Sequence, residues 1–173
     1  MGVMALDRGQ ERAADQSSCF VCAKHQHEGE HEFRDCLIYE DELVYVAHVL
    51  PQQGTAGAYL GYVIVETQRH TPGLADLSEA EAQAVGAWVG RIARALTAVV
   101  HAEHVYAFVL GHHVAHFHEH VVARHPGAPR EYWGIRVDEW PAAPRGDTLA
   151  VAALCQELRA WLDRAPASHQ IRG

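Results

Sequence analysis

Hydrophobic and polar residues alternate in short runs over much of the chain, a pattern typical of β-strands. Residues 38–46 predict a β-hairpin whose turn is the acidic segment 40–42. Residues 59–65 are aromatic and β-branched, and they predict the strongest strand of the sequence. Two further strands are predicted over residues 104–110 and 116–123.

Two longer segments have apolar residues at helical spacing. Ser78 and Glu81 form a capping box, in which the serine caps the helix and the glutamate three residues later reaches back. The apolar residues that follow recur with a period of about 3.6 residues and predict a long amphipathic helix over residues 78–101. Residues 149–162 predict a final amphipathic helix, whereas the prolines and glycines of residues 125–146 predict an extended irregular arm.

The order of these elements predicts the fold class. Strands, a helix, strands and a second helix, with short connections between neighbouring strands, predict an α+β fold with a mostly antiparallel sheet. The length of 173 residues suits one domain. We expect a flexible leader over residues 1–17, a domain over 18–125 that begins with an irregular segment at 19–36, and a C-terminal extension over 126–173. The irregular arm and the helix of this extension are expected to pack on the domain.

The acidic composition narrows the range of partners. The chain has 22 acidic residues against 14 lysines and arginines, a formal net charge of −8, so nonspecific binding to a nucleic acid polymer is disfavoured. The N-terminal segment lacks the apolar core of a signal peptide, and no run approaches the roughly 18 apolar residues of a membrane span. We therefore expect a cytoplasmic protein with no membrane partner. Lys24 is the only lysine, so a phosphate ligand would be held by arginine, histidine, backbone N–H groups or a metal.

Three of the 14 histidines alternate along one predicted strand, at His116, His118 and His120. Residues two apart on a strand point to the same face, so we expect the three side chains to project together. Each imidazole brings two polar nitrogens that need partners, which makes such a row a poor way to fill a core. A neutral imidazole can attack phosphorus, and protonated neighbours can stabilise the anionic oxygens. The alternatives are a polar strand face with incidental histidines, or adventitious metal binding.

Residues 116–122 resemble the histidine-triad motif, in which three histidines alternate with apolar residues, and a long helix and a strand precede them as in that family. The resemblance covers about residues 19–125. It implies a five-stranded antiparallel sheet with two helices, commonly in a homodimer paired through the long helix and a strand. It also implies a nucleotide or nucleotide-linked substrate, whose nucleoside monophosphate group is hydrolysed or transferred through a phospho-histidine intermediate. On this resemblance His118 would be the nucleophile, and His120 would contact the phosphate and help the leaving group.

Cys19 and Cys22 form a Cys-x-x-Cys pair that can hold one side of a tetrahedral zinc ion. Four cysteines are too few for a disulfide framework in a chain of this length. No second cysteine pair exists, so histidines would complete the site. One branch of the family uses a histidine after the central strand, here His70, and the first histidine of the triad, here His116. The resemblance therefore implies a structural zinc with no open position for water.

Two alternatives to this zinc site remain open. The cysteine pair could be inert or redox-active, although the sequence around it lacks the βαβ context of a thioredoxin-like protein. A nearby histidine could also replace His70 as ligand, and the candidates are His25, His27 and His31.

The residues around the triad depart from the family pattern at three positions. Hydrolases of the family usually have Gly-Gln-Ser/Thr-Val just before the triad, whereas this chain has His112 and His113 in place of the two polar residues. These two histidines are candidate substrate contacts. His48 aligns with a carboxylate that usually grips the ribose hydroxyls, and a neutral imidazole accepts one hydrogen bond where a carboxylate accepts two.

The segment after the triad places arginines and aromatic residues beside the site. Arg124 and Arg130 could bind phosphate, and Tyr132 or Trp133 could stack on a base. The alternative is a surface arm that is docked by its aromatic side chains.

Three functions are open at this point. The first is a nucleotidyl hydrolase or transferase with His118 as its nucleophile. The second is a noncatalytic nucleotide-binding or regulatory protein, which the changes at residues 48, 112 and 113 favour. The third is a His-x-His metalloenzyme of the cupin type that uses His116, His118 and another ligand to hold a catalytic metal. Because cupins are all-β, the long helix directly before the histidine strand argues against the third.

Overall fold

The computed structural model of the protein describes residues 18–26, 31–52, 54–111 and 113–165. The expected leader, residues 1–17, lies outside this part of the chain. The strands within it are β1 (Leu37–Glu40), β2 (Val44–His48), β3 (Ala58–Tyr59), β4 (Tyr62–Thr67), β5 (His104–Phe108), β6 (His118–Arg124) and β7 (Arg145–Gly146). The α-helices within it are α1 (Phe20–His25), α2 (His31–Cys36), α3 (Glu79–Val99) and α4 (Thr148–Arg164).

Five of these strands form one antiparallel sheet in the order β1-β2-β4-β6-β5, and β3 pairs with β7 in a separate two-stranded sheet. The helices α3 and α4 pack on one face of the larger sheet. Val63 of β4 and Val121 of β6 are fully buried there against Ile92 and Leu96 of α3. The predicted α+β class, with its antiparallel sheet, long helix and C-terminal helix, is confirmed.

The first turn of α3 has the capping box that the sequence predicts. The Glu81 backbone N–H donates to Ser78 Oγ at 3.2 Å, and the Ser78 N–H donates to Glu81 Oε2 at 2.8 Å. Because these bonds satisfy N–H groups that have no partner within the helix, they fix the residue at which α3 begins.

Two predicted strands have different limits in the structure. The strand predicted over residues 59–65 is divided at Gly61, where the backbone has φ +92° and a Cβ would lie 3.0 Å from Ala123 Cβ. The strand predicted from residue 116 begins at His118 instead. The reason is that the Phe117 N–H donates to the Thr71 oxygen at 2.6 Å, outside the sheet ladder. His116 therefore precedes the strand that carries the other two histidines.

Two segments predicted to be irregular contain helical turns. The described part of residues 19–36 forms α1 and α2, which are too short to show periodicity. Residues 125–146 contain two 3-10 helices and β7, and Val137 in the second 3-10 helix is fully buried against Tyr59 and Val122. This arm covers part of the sheet face opposite α3. No described helix combines the length and the apolar character needed to cross a membrane.

Candidate metal centre and histidine site

The metal ligands implied by the resemblance come together at the ends of three elements. Cys19 caps α1 and Cys22 follows within its first turn, His70 follows β4, and His116 precedes β6. Because β4 and β6 are neighbours in the sheet, their adjoining ends lie side by side. The four ligand atoms all lie within 4.8 Å of one another.

The spacing of these atoms fits a tetrahedral metal. Metal–sulfur bonds of about 2.3 Å and metal–nitrogen bonds of about 2.0 Å imply sulfur–nitrogen distances near 3.5 Å. His116 Nδ1 lies 3.6 Å from Cys19 Sγ and 3.5 Å from Cys22 Sγ, and His70 Nδ1 lies 3.4 Å from Cys22 Sγ. Two thiols and two imidazoles are a donor set of structural zinc sites.

His116 is oriented by a hydrogen bond on the side of its ring away from the cysteines. Its Nε2 donates to the Thr67 backbone oxygen at 2.7 Å, so a neutral ring has the lone pair of Nδ1 directed at the sulfur atoms. Burial lowers the pKa of His116 to about 4, which favours this neutral form. Bonds of this kind hold the ring orientation of histidine ligands in metal sites.

His118 is held in one tautomer by its backbone neighbour. Its Nδ1 lies 2.7 Å from the His116 backbone oxygen, and a carbonyl oxygen can only accept a hydrogen bond. The proton of the neutral ring is therefore on Nδ1, and Nε2 carries the lone pair. The side chain is half-buried, so Nε2 remains accessible to a ligand.

His120 is more deeply buried and is paired with a tyrosine. Its Nδ1 lies 2.9 Å from the Tyr62 hydroxyl, and its ring stacks on Phe108 with the centroids 5.1 Å apart. Burial raises the pKa of Tyr62 to about 12, and burial followed by the neighbouring His118 lowers the pKa of His120 to about 4. The phenol thus keeps its proton and the imidazole stays neutral.

The proton of His120 can be assigned from these contacts. The Tyr62 hydroxyl has no other acceptor among the described residues, so we assign it as the donor to His120 Nδ1. The ring proton then lies on Nε2, which is buried and has no hydrogen-bond partner in the described part of the chain. The rings of His118 and His120 are 5.0 Å apart. On one face of the sheet, the ring with a lone pair on His118 Nε2 thus lies next to the ring with the buried N–H of His120.

An ion cluster that the sequence analysis missed connects α1 to the sheet. Glu66 is 3% exposed and lies opposite His118 in the pairing of β4 with β6. It accepts hydrogen bonds from Lys24 Nζ at 2.5 Å and His25 Nε2 at 2.9 Å. Burial would raise the pKa of Glu66, but Lys24 and His25 outweigh it and lower the pKa to about 2. The available signal was a carboxylate among the apolar residues of β4 and a single lysine next to the cysteine pair.

The histidines suggested as alternatives to His70 do not join the cluster of four candidate ligands within the described residues. His25 stacks on Tyr45 with the ring centroids 4.4 Å apart and donates to Glu66 instead. His27 and the side chain of His31 lie outside the described residues.

The substrate contacts suggested before the triad are only partly described. His113 is exposed in the loop between β5 and β6. His112 lies outside the described residues.

His48 lies on the other face of the sheet from the triad. It pairs with Val63, whose side chain points to α3, whereas His120 pairs with Ile64 on the opposite face. Both ring nitrogens of His48 have partners, because Nδ1 donates to the Val49 oxygen at 2.6 Å and Nε2 accepts from the Gly61 N–H at 2.9 Å. The side chain is 2% exposed. The structure therefore does not bring His48 to the triad.

Arg124 is on the same sheet face as His118 but at the far end of β6. Six residues of strand place the two about 20 Å apart. The Arg124 guanidinium lies 3.9 Å from the centroid of the Trp133 ring and 3.5 Å from the Glu103 carboxylate. Arg130 contacts the same ring at 5.5 Å. These contacts agree with an arm docked by its aromatic side chains, and they do not place Arg124 at the triad.

A family model matches the part of the chain that contains the histidine motif and the sheet. The HIT domain model matches residues 30–127, more than half of the chain. The chain therefore belongs to the histidine-triad family. No curated protein sequence matches the chain significantly.

Solved structures of the same fold include a metal-bound member. The chain is similar to a Zn-bound histidine triad family protein from Mycobacterium smegmatis, with 24% identity, TM-score 0.64 and coverage of 87% of this chain and 99% of that one. It is also similar to a hypothetical histidine triad nucleotide-binding protein from Sulfolobus tokodaii, with 16% identity, TM-score 0.61 and coverage of 84% of this chain and 92% of that one. A third similar structure is the diadenosine triphosphate hydrolase of Plasmodium falciparum in complex with cyclomarin A, with 10% identity, TM-score 0.56 and coverage of 75% of this chain and 78% of that one. At these identities the likeness establishes the fold.

Proposed function

We propose that the chain hydrolyses or transfers the nucleoside monophosphate group of a nucleotide-linked substrate. His118 Nε2 attacks the phosphorus, the bond to the leaving group breaks, and water or a second acceptor then cleaves the phosphorus–nitrogen bond of the intermediate. The observation that carries this proposal is the 2.7 Å hydrogen bond from His118 Nδ1 to the His116 oxygen, because it leaves the attacking lone pair on Nε2.

His120 supplies the complementary group in this proposal. Its neutral ring has its N–H at Nε2, and that atom has no hydrogen-bond partner among the described residues. Buried donors in native proteins are rarely left unpaired. A phosphate oxygen or a leaving-group oxygen would accept this hydrogen bond, so substrate binding would satisfy a donor that the fold alone does not.

We also propose that Cys19, Cys22, His70 and His116 hold a zinc ion. Bound there, zinc would be structural, because protein ligands fill all four positions of a tetrahedron. It would fix α1 to the adjoining ends of β4 and β6. Since the backbone oxygen of His116 accepts the hydrogen bond from His118, holding His116 in place also orients the proposed nucleophile.

The nucleotide class of the substrate rests on family membership and on the nature of the similar proteins. Two of these are described as a nucleotide-binding protein and a diadenosine triphosphate hydrolase. A noncatalytic nucleotide-binding role is the second candidate. The placement of His48 favours it, because the position of the ribose-binding carboxylate is filled by a ring that faces away from the triad. The α+β fold excludes the cupin alternative.

A substrate panel separates these candidates. Wild-type protein and the variant His118→Ala are incubated with adenosine and guanosine phosphoramidates and with dinucleoside polyphosphates, and the released nucleoside monophosphate is measured. The proposed mechanism requires release by the wild type and loss of at least about a thousandfold in the variant, since no other group replaces the nucleophile. Denaturing mass spectrometry of quenched wild-type reactions should detect the nucleotidyl adduct on the peptide that contains His118.

Two results would contradict the proposed reaction or its mechanism. Nucleotide-dependent thermal stabilisation of the wild type without turnover of any substrate would support the noncatalytic role. Equal turnover by the wild type and His118→Ala would rule out the phospho-histidine mechanism.

A further inference from the structure

A cavity of about 310 Å³ lies on the helical side of the sheet, between β1, α3 and α4. Large apolar and aromatic side chains line it, among them Ile38 and Trp88. Tyr39 stacks on Trp88 with the ring centroids 4.0 Å apart and the planes at 27°. From α4, Trp161 and Leu162 form part of the lining. The sheet separates this cavity from the triad, which lies on its other face.

Three arginines line the same cavity. Arg91 and Arg94 lie one turn apart on α3, and Arg159 lies on α4. The Arg91 guanidinium is 4.9 Å from the centroid of the Trp88 ring, and Arg159 donates to the backbone oxygen of Leu37. Three cations thus line an aromatic pocket, and two of them, Arg91 and Arg159, are held there by these contacts.

The positive charge around this cavity is not compensated within the described chain. Among the described residues, Asp163 is the only acidic one in the lining, and none of the three arginines makes an ion pair within residues 18–26, 31–52, 54–111 and 113–165. The whole chain, in contrast, has a formal net charge of −8. Neighbouring like charges repel one another, so the clustering of these arginines favours the approach of an anion.

We propose that this cavity binds a small organic anion with a flat apolar body, of the aromatic carboxylate, sulfonate or phosphate type. Its volume is at the lower end of the range for small-molecule sites, about 300 Å³ upward. Trp161 and Leu162, which are half-buried, offer apolar surface to the body of such a ligand. The guanidinium groups can bind its acidic oxygens through paired hydrogen bonds. This site is separate from the triad and does not depend on the proposed function.

The probe for this proposal is 1-anilinonaphthalene-8-sulfonate, whose fluorescence rises on binding to an apolar site. Its uncharged analogue N-phenyl-1-naphthylamine serves as the comparison. The variant Arg91→Gln/Arg94→Gln removes two cations, and Arg130→Gln/Arg136→Gln removes two arginines of the arm as a matched control. We expect saturable binding of one sulfonate probe per wild-type chain. Its affinity should fall by at least about tenfold in the first variant and stay unchanged in the second, because a hydrogen bond to a charged group contributes roughly that factor.

Further comparisons locate the binding. The uncharged analogue should bind the wild type and both variants equally, and His118→Ala should bind the sulfonate probe with the affinity of the wild type. Circular dichroism checks that each variant is folded, and the single exposed change Arg94→Glu replaces the double variant if that one is not. Equal affinity of the sulfonate probe for the wild type and the folded charge variant, or binding that does not saturate, would overturn the proposal.

Discussion

His116 contacts Cys22 of the candidate metal centre through its ring, and it contacts His118 through its backbone oxygen. Its Nδ1 lies 3.5 Å from Cys22 Sγ, while its backbone oxygen accepts the hydrogen bond from His118 Nδ1 at 2.7 Å. The residue that faces the candidate metal centre therefore also sets the tautomer of the proposed nucleophile. This connection means that the metal would affect turnover without contacting a substrate, because displacement of His116 moves the acceptor that keeps the proton on Nδ1.

Removal of the metal should lower both stability and turnover. We expect about one zinc per chain by metal analysis, and its loss in Cys19→Ser/Cys22→Ser. That variant should be destabilised by about 2 kcal/mol or more, which lowers the melting temperature of a chain of this size by roughly 4–8 °C. Cys36→Ala changes another buried cysteine, outside the cluster, and should keep the zinc. Full zinc content in the double variant would contradict the assigned ligands.

Tyr62→Phe tests the assignment of the proton on His120. Loss of the hydroxyl leaves Nδ1 of His120 without its donor, so the ring can no longer be held with its proton on Nε2. We expect kcat to fall by about 10- to 100-fold with little change in KM, since the lost interaction acts on the transition state. The control is Tyr59→Phe, which removes a buried hydroxyl that donates to the Ala123 oxygen at 2.6 Å, away from the triad. Equal losses of kcat in both variants would show that Tyr62 acts only through stability.

The features that could be predicted from the sequence are those with a local signal. The capping box at Ser78 lies within four consecutive residues, and the long helix repeats its apolar positions over 21 residues. The alternation of His118 and His120 likewise needs only the geometry of one strand. Such patterns were sufficient for the fold class and for the triad face.

Features that depend on strand register could not be predicted in the same way. Lys24 and Glu66 are 42 positions apart, and their contact depends on where α1 rests against β4. His48 is assigned to the substrate by alignment, but its pairing with Val63 turns the ring to the helical face. A shift of one residue in register would reverse this direction, so the sequence around His48 carries no signal for it. The division of the predicted strand at Gly61 depends similarly on the close approach of Ala123.

The buried pair of Lys24 and Glu66 should be costly to break from one side. In Lys24→Met the Glu66 carboxylate, with its side chain 4% exposed, loses its main cation. We expect a destabilisation of about 3 kcal/mol, because an uncompensated buried charge remains. Urea unfolding of the zinc-saturated protein measures this change.

The matched comparison is the double variant Lys24→Met/Glu66→Met. Removing both charges leaves no buried ion, so it should recover most of the stability lost in the single variant. If the double variant is less stable than Lys24→Met alone, then Glu66 contributes mainly through its bond from His25, which lies 2.9 Å away.

His48 should make stability depend on pH in the weakly acidic range. Burial lowers its pKa from 6.5 to about 4 in the folded chain, while in the unfolded chain the pKa stays near 6.5. As the pH falls from 6.5 towards 4, the unfolded chain takes up a proton that the folded chain does not. The contribution of neutral His48 is therefore complete above about pH 6.5 and is lost as the pH falls.

The variant His48→Gln has no titrating group at this position, which isolates the effect from that of the metal ligands. We expect the free energy of unfolding of the wild type to exceed that of the variant at pH 7, and this difference to shrink by about 2 kcal/mol at pH 5. Chemical unfolding at the two pH values measures it. Because both nitrogens of His48 bond to backbone groups, the variant should also leave KM for the substrate unchanged. If the difference in the free energy of unfolding is independent of pH and the KM of the variant is raised, His48 contacts the substrate instead.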